Sequence, residues 1–383
     1  MSPLDRADAE WRRAIENGRR RRWPYRSRPR SDELLSSWFL RCAAGMWLKP
    51  FALGNAVWGR SLQILTRDID NFAPPSLVAG MAALTDTPLE AAWGTSLAEF
   101  EGRLVERYTM AGRTNWIMPL GVRHRRRHQP GLQFCPACLQ EPISYYRRIW
   151  RLAWSTVCCR HGCILLDRCP SCAAPLEPHR APHLWLCATC RTDLRTVDAA
   201  AAPPGLAALQ ARHEEFLRRG WAELGRVTFP YSHLYFELVR QVARVLFSGA
   251  RSERLRISVS GSVAQAPGFL AVCHDVETLS ADDRRRLMSL VALALQDWPT
   301  RFVAAAREAG FWRSWATRDR PRLPFAFASI VDEHLGAGFY TPAREEVRAA
   351  EMYLRRVRPG HGRQELRNLV GDCQAVWDVF NED

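Results

Sequence analysis

Cys135-Pro-Ala-Cys138, Cys158-Cys-Arg-His161, Cys169-Pro-Ser-Cys172 and Cys187-Ala-Thr-Cys190 are four pairs of metal-binding side chains, each with a two-residue gap. That gap lets both ends of a tight turn reach one tetrahedral ion. Proline follows the first cysteine of two pairs, as Pro136 and Pro170, and pre-sets the turn. Nineteen residues separate the first two pairs, seven the middle two and fourteen the last two. The expected cofactor is Zn2+, two per chain: Cys135, Cys138, Cys158 and His161 for the first ion, Cys169, Cys172, Cys187 and Cys190 for the second. Both sets are complete and leave no position for a reacting water, so the expected role is structural. A cross-brace would pair alternate half-sites instead. The seven-residue spacer, with its strand-like Cys163-Ile-Leu-Leu-Asp167, is long for that arrangement and favours pairing in chain order. Cys159 competes with Cys158 as a ligand, but only Cys158 keeps the two-residue gap to His161.

Nine of the twelve cysteines lie within residues 135–190. Such clustering in a chain of this size points to metal in a reducing compartment rather than to disulfides. Cys42, Cys273 and Cys373 stand apart and are expected in cores. At 383 residues, with 47% hydrophobic and 25% charged residues, the chain is suited to two or three folded domains and not to general disorder. No apolar run approaches the roughly 20 residues of a membrane span, and the first thirty residues lack the apolar core of a secretory signal. A cytoplasmic location is the expectation. The net charge is +14, and Lys49 is the only lysine. A GC-rich genome would produce that bias, yet guanidinium forks also grip phosphates and carboxylates bidentately where ammonium cannot.

The expected fold is mainly α. Residues 1–30 hold ten arginines and end in Trp23-Pro24-Tyr25 and Pro29, which reads as an extended basic arm. Residues 31–128 read as a helical, helix-turn-helix-like domain. Ser31-Asp32-Glu33 is a helix-start signal, and Leu34, Leu35, Trp38, Phe39 and Cys42 recur at helical spacing. Thr87-Pro88-Leu89-Glu90 offers an N-cap, a first-position proline and a capping-box glutamate. Residues 129–196 form a double zinc-finger module, and 197–205 a linker containing Pro203-Pro204-Gly205. Residues 206–383 form a C-terminal helical domain. Leu206, Leu209, Phe216, Leu217 and Leu224 stripe one helix up to Gly225. Ser280 caps another with Leu287, Leu290, Val291 and Leu295 inward, and Thr341-Pro342 opens a third. A last helix places Leu366, Val370, Cys373 and Trp377 on one side.

Several segments together resemble one family. Glu33-Leu-Leu-Ser-Ser-Trp-Phe-Leu-Arg41 is similar to the N-terminal signature of TniQ proteins. Phe134-Cys-Pro-Ala-Cys-Leu139, Tyr146-Arg-Arg-Ile-Trp-Arg-Leu-Ala-Trp154, Thr156-Val-Cys-Cys-Arg-His-Gly162 and Leu165-Leu-Asp-Arg-Cys-Pro-Ser-Cys-Ala-Ala-Pro-Leu176 resemble the TniQ zinc core. The likeness covers about residues 29–195, while the C-terminal half matches only loosely, as at Asp297-Trp-Pro-Thr-Arg-Phe302. Cys159 stands where the family has proline. The resemblance implies a transposition adaptor without chemistry of its own, working with an AAA+ ATPase (TniB- or TnsC-like) and a DDE transposase. Relatives bind target DNA directly, like the TnsD branch, or dock on a Cascade-like CRISPR effector, and some form homodimers.

Arg123, Arg125, Arg126 and Arg127, with His124 and His128, form a basic cluster before the first knuckle and are the candidate nucleic-acid contacts. Tyr145, Tyr146, Trp150 and Trp154 read as finger core rather than base-stacking platforms. A stand-alone zinc-containing transcription regulator is the alternative function. An enzyme is not expected: His213, His233, His274 and His334 are scattered, and neither HExxH nor a P-loop is present.

Overall fold

A computed structural model of the chain describes residues 1–60, 62, 64–110, 112–123, 126–247, 251–261, 275–316, 323–335, 344–370, 376 and 379. It is mainly helical and divides into two compact units, Met1–Phe302 and Val303–Asp383.

The first unit opens with α1 (Pro3–Glu16), α2 (Leu35–Gly45), α3 (Pro50–Trp58), α4 (Ile69–Phe72), α5 (Pro75–Thr85) and α6 (Leu89–Trp93). The N-terminus is therefore not the extended arm that its arginines suggest. Ser2 and Asp5 form a complete capping box around Pro3, and α1 packs along α5 through the buried Trp11. Gly80 makes the approach possible, because a Cβ there would stand 2.9 Å from Trp11 and 2.8 Å from Trp58. Trp11, Trp23 and Phe39 then surround Trp58 at centroid distances of 5.7, 6.2 and 6.0 Å.

Two expected caps form differently. Asp32 turns left-handed (φ 59°) and Leu34 occupies the N-cap position of α2, so Ser31 does not cap it. Asp70 of α4 caps it from a distance, accepting 2.7 Å hydrogen bonds from both the amide and the hydroxyl of Ser36. Glu33 is instead buried beneath Arg41, which donates to its carboxylate from Nε and Nη2 at 2.7 Å each. Asp86 (φ 57°) ends α5, and α6 is only five residues long. Thr87 bonds the Thr85 hydroxyl at 2.8 Å rather than capping α6.

The cysteine-rich segment holds little regular structure. The pair β1 (Val122–Arg123) and β2 (Arg126–Arg127) leads into α7 (Pro136–Gln140), and β3 (Val157–Cys158) pairs with β4 (Cys163–Ile164). Residues 197–205 do not hang free. Ala200 accepts from the Ile164 amide and Ala202 donates to Gly162, so small residues lie against the edge of the β3–β4 hairpin before Pro204 starts α8 (Pro204–Arg219).

Gly220 (φ 81°) stops α8. Leu224 and Gly225, expected at that helix's end, belong to the hairpin of β5 (Ala222–Leu224) and β6 (Val227–Phe229). The unit continues through α9 (Ser232–Phe247), α10 (Arg251–Ser260) and α11 (Ala281–Ala294), with α11 packed on α8 and α9. Ser280 caps α11 through the Asp283 amide, and Leu287, Leu290, Val291 and Leu295 are buried. α12 (Thr300–Glu308) spans the division between units.

The second unit contains α13 (Arg313–Ala316), α14 (Phe325–His334), α15 (Arg344–Val357) and α16 (Arg363–Val370). α15 and α16 meet around Val347, Leu354 and Leu366. Cys273, His274, Pro342, Cys373 and Trp377 lie outside the described residues. Cys42 is fully buried, and burial pushes its thiol up to about 12. Among the described residues no helix is long and apolar enough to cross a membrane.

Arg151 joins the two halves of the first unit described so far. It is fully buried between Asp68, held at 2.6 and 3.0 Å, the Met118 carbonyl at 2.8 Å, and Asp70 at 3.5 Å. Truncating one partner of a buried ion pair leaves the other charge uncompensated, at a cost of about 3–5 kcal/mol. Arg151→Ala should therefore lower the thermal midpoint strongly, and adding Asp70→Asn, which keeps an acceptor for Ser36, should recover part of the loss. An unchanged midpoint in Arg151→Ala would mean that the guanidinium contributes nothing to the fold.

Candidate metal centre

Each ligand pair is shaped by its own backbone. In three of the four, the residue after the second ligand takes a left-handed conformation: Gly162 (φ 61°), Ala173 (φ 57°) and Arg191 (φ 65°). Its amide donates to the carbonyl of the pair's first cysteine, at 2.8 Å for Cys158, 2.8 Å for Cys169 and 3.1 Å for Cys187. Cys135 opens α7 instead, and its sulfur accepts from the Cys138 amide at 3.4 Å. The residues between and after the two ligands thus curl the chain until both side chains point the same way.

The donors gather in chain order. Cys135, Cys138, Cys158 and His161 bring their ligand atoms within 4.8 Å of one another, and so do Cys169, Cys172, Cys187 and Cys190. Cys138 and Cys158 sulfurs are 3.7 Å apart. His161 Nδ1 stands 3.5, 3.3 and 3.6 Å from Cys135, Cys138 and Cys158. In the other cluster Cys169 lies 3.5 Å from Cys190, and Cys172 lies 3.7 Å from Cys187. A tetrahedron with metal–sulfur bonds of about 2.3 Å has edges of about 3.7 Å, so both donor sets fit a single ion each. Among the described residues no cluster mixes alternate pairs as a cross-brace would.

Neighbours tune these donors. Hydrogen bonds from Cys135 and then Cys138 hold the Cys158 thiol low, and the Thr192 hydroxyl, 3.1 Å from Cys190, holds that thiol down at about 6. In each cluster one sulfur is thus favoured as the thiolate, while Cys135, Cys138, Cys172 and Cys187 are pushed the other way. Glu141, directly after α7, faces His161 Nε2 at 4.0 Å and also pairs with Arg160. That distance is too long for a hydrogen bond, so Glu141 only faces Nε2, while Nδ1 turns toward the three sulfurs. Neither Glu141 nor Thr192 was expected from the sequence, although each lies within three residues of a ligand. Cys163 also stands close, 3.5 Å from Cys135, but outside the set of four. Cys159 points away from the cluster toward Glu214, and burial raises its thiol to about 12.

The basic cluster is divided. Arg126 pairs with Glu177 at 3.2 Å and stays 55% exposed. Arg127 is half-buried and spends its Nη1 on the Leu176 carbonyl at 2.9 Å, while its amide donates to Glu177. Arg125, His124 and the side chain of Arg123 lie outside the described residues. Tyr146, Trp150 and Trp154 are at most 2% exposed, so their faces are closed to bases; Tyr145 lies under Arg147. Of the scattered histidines, His213 is buried among Trp154, Tyr235 and Phe236, His233 bonds the Gly102 carbonyl, and His334 ends α14 beside Glu333.

Elemental analysis of the purified protein should return two metal ions per chain, one for each cluster. Cys187→Ser should lose one ion and Cys163→Ser none. Two ions retained by Cys187→Ser would break the four-donor assignment.

Residues 24–165 match the TniQ family, a span that begins beside Trp23 and closes just after the first cluster. No curated protein matches the chain. The signature at Glu33–Arg41, the paired knuckles and the family match agree, and residues 24–165 of the chain are similar to the TniQ family domain.

Proposed function

We propose that this protein is a non-catalytic adaptor in DNA transposition, with both clusters filled by zinc. The TniQ match over residues 24–165 carries the reading. The geometry supports it: three or four soft thiolates per cluster suit Zn2+, and complete donor sets hold a fold together instead of activating water. When bound, the ions supply folding energy, because the small segments between knuckles bury little core alone. His161 and the seven cysteine ligands would hold them, with Thr192 bonded to Cys190.

The adaptor's partners in this reading are an AAA+ ATPase of the TniB or TnsC type and, on the other side, target DNA or a CRISPR effector complex already on its target. A homodimer is part of the same proposal. Among the described side chains of the basic cluster, Arg126 has exposed length to spare for a phosphate. Arg127, turned onto Leu176, contributes to the finger rather than to a partner. The α5–α6 hairpin is a short helix-turn-helix candidate beside these parts.

Targeted insertion by a complete element in cells should drop to background when this protein is deleted, while the ATPase and transposase remain present. Purified protein should neither cut nor join DNA. Insertion that proceeds at the same target and frequency without it would overturn the adaptor reading. Changed expression of neighbouring genes would then favour the transcription regulator.

A further inference from the structure

The arginines of the N-terminal segment form a fixed strip. Residues 17–31 contain Arg19, Arg20, Arg21, Arg22, Arg26, Arg28 and Arg30 and no acidic residue. Such a run would ordinarily be read as a solvated tail. Here its backbone is tied down along its length. The Arg20 amide bonds the Ala14 carbonyl, and the Trp23 amide bonds Leu84 at the end of α5. Arg20 itself lies over Trp11 at 4.1 Å and donates to the Val57 carbonyl. Trp23 is buried against Trp58.

Beyond Trp23 the chain crosses α2. Ser27 accepts at its carbonyl from Trp38 Nε1 and at its hydroxyl from Arg41, both at 2.6 Å. Arg41 also donates to the Arg28 carbonyl at 2.9 Å, and the Arg30 amide bonds Glu33. Burial over residues 26–30 alternates: Arg26, Arg28 and Arg30 are exposed, Ser27 and Pro29 partly covered. An extended chain sends successive side chains to opposite faces, so the period-two spacing puts every arginine outward.

The local carboxylates are already taken. Asp86 pairs with Arg22, and Glu33 with Arg41. Among the described residues, Arg19, Arg21, Arg26, Arg28 and Arg30 make no ion pair. Five unneutralised guanidiniums held in fixed order along the chain repel one another, and a regular polyanion removes that repulsion without any backbone freedom being lost.

We propose that the strip from Arg19 to Arg30, laid over α2 and the end of α5, is a binding surface for the phosphate backbone of duplex DNA. It rests on the adaptor reading only for which DNA is bound, namely target DNA.

The experiment compares the full-length protein with Arg19→Gln/Arg21→Gln/Arg26→Gln, three exposed arginines without side-chain partners among the described residues. A second variant, Arg218→Gln/Arg226→Gln/Arg254→Gln, removes the same charge from exposed positions elsewhere. Affinity for a 30-base-pair duplex of arbitrary sequence is measured across salt concentrations, with circular dichroism and metal content checking the fold. The strip variant should bind at least ten-fold more weakly at low salt. Its log–log salt slope should be shallower by about 2.7, since each phosphate that is no longer neutralised removes about 0.9. Equal losses in both variants would mean that net charge alone governs binding, and would overturn the strip. So would a strip variant that loses single-stranded RNA binding but keeps the duplex. A strip variant that fails on DNA while insertion proceeds normally without the protein would instead strike the adaptor reading and leave the strip standing.

Discussion

Arg151 is wholly buried, and its guanidinium is divided among two carboxylates and a carbonyl. Burial alone would push its proton affinity down; the charge and hydrogen bonds of Asp68 outweigh that, and the net shift is upward. Burial pushes the Asp70 carboxyl up, with Asp68 adding to it and Arg151 opposing. Asp70 still reaches past Arg151 to hold the amide and hydroxyl of Ser36 in the first turn of α2. Arg151 itself lies between the two ligand pairs of the first cluster. One charged group therefore fixes the start of the signature helix, the short α4 and the spacer of the metal cluster in a single arrangement. A lysine could not, since one ammonium cannot engage two carboxylates and a carbonyl with planar, bidentate geometry.

The parts readable in the sequence are those whose physics is local. A two-residue gap between ligands is a statement about one turn of chain, so the four pairs and their grouping could be read without knowing the rest. Ser280 could be read as a cap because its partner is three residues away. The parts that escaped depend on distant partners. Nothing around Ser36 announces that Asp70 will cap it from 34 positions on. Gly220, after Arg218 and Arg219, is a helix-stop signal, but Leu224 continues the apolar spacing beyond it and hides the stop. The first helix was legible in principle, through Ser2, Pro3 and Asp5, but the arginines beside it carried a stronger compositional signal. Within the basic cluster before Cys135, Arg127 turns inward to the Leu176 carbonyl, which the folded second finger supplies.

Rigidity in this protein is distributed between two kinds of bond. The fingers hold their shape through donors that converge on points, whereas the helices around them are fastened by carboxylates shared among several partners. Both devices hold the surfaces around them in a constant relation.

Asp167 lies two residues beyond the family match. It accepts from the Ala281 amide at the start of α11 at 3.1 Å and faces the fully buried Arg284 at 3.6 Å. Arg284 in turn reaches the Ala153 carbonyl, inside the matched span. Trp116, also inside it, donates its indole to the Phe236 carbonyl and its amide to Glu277. The segment that matches the family is thus stitched by buried polar bonds to helices that lie outside the match. Inheritance and folding are parcelled differently here. Recombination that exchanged the C-terminal helices between two such proteins would have to bring matching partners for Asp167, Trp116 and Ala153. Without them it would strand buried polar groups whose desolvation costs about 1–3 kcal/mol each, and lineages should diversify by drift on outer helix faces rather than by swapping whole modules at that seam.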